Sequence, residues 1–343
     1  LTSGIRFDHL GVHAEVVGHL LAGAGNLRGV WNGGLTQPIN FAEGNSTNQP
    51  IKKRRLAMTK SPKVLPRRHT ARPKPSGDPL AKLTLRGPSQ HGGYGWVRDL
   101  PDARDFAYAA PLFRFPGGLP SSVDLRPECP PVYDQGQLGS CTANAIGGAI
   151  EFDQMKQGAS GFIPSRLFIY YNERAIEGTV PQDAGAQIRD GVKSVSTLGA
   201  PDETDWPYVI AKFAERPPAA AYADAKQDII TNYSRVARDI TQMRGCLADG
   251  FPFVLGFTVY QSFESQAVAD SGILNMPASG EKVLGGHAVC AVGYDDGKRA
   301  FIIRNSWGSG WGLNGYFWMP YEYLQSDHLS SDFWTMRSVG GPR

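Results

Sequence analysis

The chain has 343 residues, 41% of them hydrophobic, and a formal net charge of +3. That length suits a two-lobed enzyme of roughly 200 to 220 residues with extensions, and the absence of any run of 18 apolar residues excludes a membrane-spanning helix. The small net charge hides an uneven distribution: residues 51–75 carry 10 Lys and Arg and no acid, so the remainder is net acidic.

In chain order, residues 1–50 are rich in Gly and Asn and show neither a helical nor a strand period. An apolar patch from Val16 to Ala24 ends in Ala22-Gly23-Ala24, in the manner of a signal-peptidase site. Gly18 and His19 interrupt it, and Arg6 is the one positive charge before it, so it is a poor secretory signal. A second reading sets residues 1–57 outside the native protein, because Met58 follows Arg54-Arg55, whose codons can spell a bacterial ribosome-binding site. The basic run from Lys52-Lys53-Arg54-Arg55 through Arg67-Arg68, Arg72 and Lys74 is interleaved with Pro62, Pro66, Pro73 and Pro75. Such a composition cannot bury a core and reads as a linker over 58–91. Its charge could hold a weak anionic ligand at 51–75, such as RNA, anionic lipid or a nucleotide.

Residues 92–121 combine Pro and Gly with Tyr94, Trp96, Phe106, Tyr108, Phe113 and Phe115. This is too apolar for free disorder and has no helical period. It reads as a strap packed outside the enzyme, or as a segment lying over the cleft and restraining activity.

From about Leu125 to Tyr208 the pattern is helical. Ala143 to Met155 reads as a buried helix, since Ala145, Ile146, Ala149, Ile150 and Phe152 cover most of its circumference. Cys141 stands at its start, where unpaired N–H groups stabilise a thiolate. Gln135, six residues earlier, can aim its amide at the spot where an acyl-transfer intermediate develops negative oxygen. Helices are also predicted over Ser165 to Glu177 and Ala186 to Leu198, with Ser165 and Asp183 as N-caps and Gly178 and Gly199 as stops.

From about Asn232 onward strands dominate: Ser234 to Asp239, Phe253 to Tyr260, Ala288 to Tyr294, Phe301 to Arg304 and Gly315 to Met319. Ala221 to Ile230 and Asp239 to Ala248 read as connecting helices. The tight turn Asp295-Asp296-Gly297-Lys298 folds two strands into a hairpin, which puts His287 beside Asn305. A cysteine nucleophile needs a base for its proton, and the base needs a third group to fix its tautomer and orientation. Asn305 can accept from the imidazole, and Trp307 can cover that bond.

Gln-Gly-x-x-Gly-Ser-Cys at 135–141, Gly-His-Ala-Val at 286–289 and Asn-Ser-Trp-Gly-x-Gly-Trp-Gly at 305–312 together resemble the papain-like cysteine peptidases. The likeness runs from about Ser122-Val123-Asp124-Leu125-Arg126 to Val339. It implies an α+β fold of two lobes, a helical left lobe and a β-barrel-like right lobe with the site in the groove between them. It also implies a peptidase domain over 122–343, with Gln135 as oxyanion donor, Cys141 as nucleophile, His287 as acid/base and Asn305 as orienter. Leu138 and Thr142 depart from plant and lysosomal members, which carry cysteine and tryptophan there. Ser-Cys-Thr-Ala-Asn looks like a bacterial branch.

The expected activity is hydrolysis of peptide bonds in protein or peptide substrates by a cysteine endopeptidase, with acyl or peptidyl transfer by the same thiol as the alternative, or a non-catalytic binding protein whose basic arm does the work. No metal or cofactor is implied, and a monomer is expected. The thiol pKa is expected to be lowered to about 3–4, as in His-paired cases. Substrate would pair with the segment Asp183-Ala184-Gly185-Ala186, where Ala184 and Gly185 permit close backbone approach, while Gly286 opens the cleft wall. Cys290, three residues past His287, reads as an inert core thiol on the opposite strand face, Cys246 as a helix-end core residue and Cys129 as a loop residue. Three cysteines besides Cys141 cannot pair completely, so the fold is not expected to depend on bridges and the compartment stays open.

Overall fold

The structure is a computed structural model and describes residues 93–159 and 161–340. The readings made for residues 1–92, including the apolar patch and the basic segment 51–75, lie outside the described residues.

Three helices carry the first lobe: α1 (Cys141–Lys156), α2 (Arg166–Glu177) and α3 (Ile188–Leu198). Helix α1 is buried from Cys141 to Gln154 on every side, as its nearly continuous apolar circumference requires. Ser165 caps α2 by accepting from the Phe168 N–H, and Gly178 closes it in the left-handed conformation. Gly199 ends α3 at φ 78°. The expected cap at Asp183 is not found. The chain forms a short strand, β3 (Ala186–Gln187), before α3, so Gln187 takes the cap position. Asp183 instead accepts from the Gly139 N–H at 3.1 Å and from the Tyr170 hydroxyl, which ties the loop before Cys141 to the helical lobe.

The second lobe is an antiparallel sheet of seven strands: β2 (Ser122–Asp124), β4 (Ile230–Arg235), β5 (Phe253–Tyr260), β6 (Val283–Asp295), β7 (Ala300–Arg304), β8 (Tyr316–Pro320) and β9 (Ser330–Val339). Their order is β4-β9-β5-β6-β7-β8, with β2 added on β6, so the sheet is open and does not close into a barrel. Four short helices, α4 (Ala219–Ala225), α5 (Ile240–Ala248), α6 (Gln266–Ser271) and α7 (Tyr321–Gln325), connect these strands. The predicted hairpin is present: β6 and β7 pair antiparallel, Asp295 opposite Ala300.

Several boundaries differ from expectation. The helix foreseen over Ala221 to Ile230 is α4, which ends five residues earlier, at Ala225, because β4 begins at Ile230 instead of Ser234. Strand β6 starts at Val283, so His287 lies within it and not at its start. Strand β9 was not foreseen, yet it sits between β4 and β5.

Two ties fix the lobes to one another. Arg304, at the end of β7, is buried and donates to the carbonyls of Pro130 and Pro131 at 2.6 and 2.5 Å. The Gln135 N–H donates to the Ser306 carbonyl at 2.9 Å, and the Gly308 N–H to the Tyr133 carbonyl at 2.9 Å. The loop carrying Gln135 is thereby stitched to the segment carrying Asn305 and Trp307.

The strap enters between the lobes. Its strand β1 (Trp96–Val97) pairs parallel with β3, Trp96 opposite Ala186.

Candidate active site

Cys141 is the first residue of α1, and the side chain of Ser140 makes no cap bond, so the helix N–H groups keep their positive end towards the sulfur. The sulfur lies against the backbone N–H groups of Ala288, Gly95 and Thr142. Ala288 directly follows His287 on β6, so helix and strand bring the thiol and the imidazole to the same groove.

His287 Nε2 and Asn305 Oδ1 are 2.8 Å apart, both buried. Asn305 Oδ1 also accepts from the Ser306 N–H at 2.9 Å, which fixes the carboxamide so that its oxygen faces the ring. His287 Nε2 therefore carries the proton in the neutral ring, leaving Nδ1 as the basic nitrogen, and Nδ1 has no hydrogen-bond partner among the described residues. Trp307 stacks on the imidazole, centroids 5.0 Å apart and planes 28° apart. Behind it Phe257, Phe263, Trp311 and Phe317 form a packed aromatic floor, with Phe263 centred 5.2 Å from Trp307 and 5.1 Å from Phe317. This packing shields the His287–Asn305 bond from water, as the sequence suggested for Trp307.

Gln135 is fully buried. Its Oε1 accepts from the Ser306 hydroxyl at 2.6 Å, which turns Nε2 towards the cleft, where it donates to the carbonyls of Leu138 at 2.9 Å and Gly93 at 2.8 Å. The second of those carbonyls belongs to the strap. The structure therefore brings Gln135, Cys141, His287 and Asn305 into one groove and lays residues 93–97 across it. Tyr94 packs edge-on against His287 at 6.1 Å and its hydroxyl reaches Glu264. The Gly95 carbonyl accepts from the Ala186 N–H at 2.7 Å.

Gly95 passes so close to the Gly139 carbonyl, and Gly185 (φ 71°) to the Gly95 carbonyl, that a Cβ at either would overlap backbone. Of the residues read as substrate-binding, Gly185 and Gly286 thus meet the strap and Trp307 covers the imidazole, whereas Ala184 is half-buried. Sequence reasoning missed the strap's register. The signal was Gly93-Tyr94-Gly95-Trp96, where alternating glycines and aromatics suit a chain that presses its backbone on one surface and its rings on another.

Burial dominates the electrostatics of the covered site. It pushes the Cys141 thiol up to about 12, although the three backbone N–H groups favour the thiolate, and pushes the imidazole down to about 4 against the hydrogen bond that the ring donates to Asn305. The expected lowering of the thiol pKa does not hold in this covered state, because removing water penalises both charges of an ion pair. Burial favours the neutral form of each group here.

The other thiols are not placed for chemistry. All four cysteines are free; Cys246 and Cys290 are buried and Cys129 is half-buried, and burial pushes each thiol up. No group of three or more His, Cys, Asp or Glu that could hold a metal ion occurs among the described residues, and no described helix is long and apolar enough to cross a membrane.

A family model described as papain family cysteine protease matches residues 119–331. The chain belongs to the papain family of cysteine proteases. An uncharacterized peptidase C1-like protein of Acanthamoeba polyphaga mimivirus is 43% identical over 273 residues, covering 73% of this chain and 88% of that protein. The crystal structure of xylellain, a cysteine protease from Xylella fastidiosa, superposes with a TM-score of 0.69 at 44% identity, covering 76% of this chain and all of the other. Cysteine proteinase 1 of Entamoeba histolytica is 29% identical over 216 residues, 59% of this chain and 64% of that one. This papain-family protease acts on protein or peptide substrates. Its relatives come from a virus and a protist as well as a bacterium, so the bacterial branch read from Ser-Cys-Thr-Ala-Asn is not confirmed.

Proposed function

We propose that the chain is a cysteine endopeptidase in which Cys141 is the nucleophile, His287 the acid/base, Asn305 its orienter and Gln135 the oxyanion donor, and that residues 93–97 restrain it. The observation that carries the roles is the buried 2.8 Å bond between His287 Nε2 and Asn305 Oδ1, which leaves the basic Nδ1 without a partner among the described residues, while the Cys141 sulfur lies against the N–H of Ala288, the residue after His287.

With the strap lifted, water re-enters and the thiol gives its proton to His287 Nδ1. The thiolate attacks the scissile carbonyl, and the carbonyl oxygen gains negative charge between Gln135 Nε2 and the Cys141 N–H. His287 returns the proton to the departing amine, leaving a thioester on Cys141. The same imidazole then takes a proton from water, which cleaves the thioester and restores the thiol. Restraint by the strap is supported by the Gly93 carbonyl, which occupies the Gln135 amide at 2.8 Å, the contact a substrate oxyanion would need.

Peptide turnover by purified full-length variants tests the roles. Cys141→Ala lowers turnover by at least about a thousand-fold, and Gln135→Ala by about a hundred-fold or more through kcat, the range for loss of one oxyanion donor. Near-normal turnover in either variant would remove that residue from the mechanism.

A further inference from the structure

Trp96 follows the strap residue that lies over the nucleophile, and its ring fills a notch in the sheet. The notch exists because Gly256 on β5 and Gly286 on β6 lack side chains. A Cβ at Gly256 would fall inside the indole, and one at Gly286 would come within 2.7 Å of its Cε3. At the end of the notch is Asp332, buried on β9 and held at φ 61°.

The two oxygens of Asp332 are served differently. Oδ1 accepts from enzyme groups, Arg235 Nη2 at 2.8 Å and the Ser331 hydroxyl at 2.8 Å. Oδ2 accepts from strap groups, the Trp96 indole Nε1–H at 3.1 Å and the Asp99 N–H at 2.8 Å. When the strap leaves, the notch empties and Oδ2 loses both of these donors while the carboxylate stays fixed from behind. A buried acceptor without a donor is costly, so the site favours an occupant that restores an N–H bond.

Charge decides which donor. Arg235 is 3.0 Å from Asp99 and 3.3 Å from Asp105, and Arg189 is 2.6 Å from Asp105. Both acids are strap residues. Their departure leaves Arg235 paired with Asp332 alone, 2.8 Å away, and Arg189 without its Asp105 partner, which disfavours a lysine or arginine side chain and suits a neutral donor on a flat apolar body.

Building on the peptidase reading above, we propose that this notch is a substrate side-chain pocket selective for tryptophan, with Gly256 and Gly286 setting its depth, Asp332 reading the indole N–H, and Trp96 acting as an internal mimic of the substrate residue.

The full-length Trp96→Ala/Asp99→Ala chain, which has lost both the indole from the notch and the buried carboxylate that anchors the strap, provides the test. In peptide sets varied one position at a time around the cleaved bond, one position prefers Trp over Phe and Leu by at least tenfold in kcat/KM, with Lys poorer still. Adding Gly256→Val removes that preference, Trp peptides falling to the rate of Leu peptides or below. Equal rates for Trp, Phe and Leu, a preference for Lys, or a Trp preference that survives Gly256→Val would overturn the proposal. Calorimetry on the Trp96→Ala/Asp99→Ala/Cys141→Ala chain separates it from the catalytic assignment, since no turnover is needed. N-acetyl-tryptophanamide binds at least tenfold more tightly than N-acetyl-phenylalaninamide, and Gly256→Val abolishes the difference. Equal binding of the two amides would also overturn the proposal.

Discussion

At the scale of single residues, the buried titratable groups serve different ends. Burial favours the neutral forms of His287 and Cys141. Asp153 on α1 is a further case. Neither of its oxygens has a hydrogen-bond partner among the described residues, and burial raises its carboxyl to about 8 against the weaker pull of Arg337 and Lys156. A pKa raised on folding contributes stability that is fully present below the ordinary carboxyl range and is lost as pH rises through about 8. Asp153→Asn cannot titrate. Its melting temperature should match the parent near pH 3 and exceed it by roughly 3 °C or more at pH 9. A parent chain whose melting temperature does not change between those pH values relative to the variant would show that Asp153 remains charged when folded.

At the scale of elements, the strap is held by charges as well as by its rings. Asp99 is completely buried at its side chain and joins Arg235 at 3.0 Å, the Arg189 N–H at 3.1 Å and the Trp334 indole at 2.9 Å. Asp105 adds a two-pronged pair with Arg189 at 2.6 and 3.0 Å. Removing one member of a buried pair costs several kcal/mol, about 3–5, because its partner is left uncompensated. Asp99→Ala should therefore loosen the strap and raise peptide turnover of the full-length chain at least tenfold. Unchanged turnover, with the variant still folded by circular dichroism, would mean that Asp99 does not hold the cover in place.

The same elements show where sequence was legible. Helices α1 and α2 and strands β5 and β7 were readable because their apolar periods and caps are local. Strand β9 was not, since it mixes Phe333, Trp334 and Met336 with Asp332 and Arg337. Those charges are tolerated inside because Arg235 and Asp249, about 90 positions away, pair with them. A cap at Asp183 was a reasonable local reading, but a three-dimensional partner, the Gly139 N–H, took the carboxylate.

At the scale of the whole molecule, the four residues picked from three separated motifs meet in one groove, which motif spacing alone could suggest but not place. What the sequence left open was whether 92–121 lies outside the enzyme or across the cleft. That choice depends on Gly95, Gly185, Gly256 and Gly286, scattered over some 190 positions and meaningful together because each removes a Cβ from the same path. The thiol pKa is raised here because desolvation by burial outweighs the backbone N–H groups of Ala288, Gly95 and Thr142.

The most direct test is to treat the full-length chain and its Asp99→Ala variant with an epoxide thiol trap, and to map and time the adduct on each of the four cysteines by mass spectrometry. The account predicts modification at Cys141, at least tenfold faster in the variant than in the parent. Adduct formation at Cys129, Cys246 or Cys290 in preference to Cys141, or equal rates at Cys141 in both chains, would contradict it.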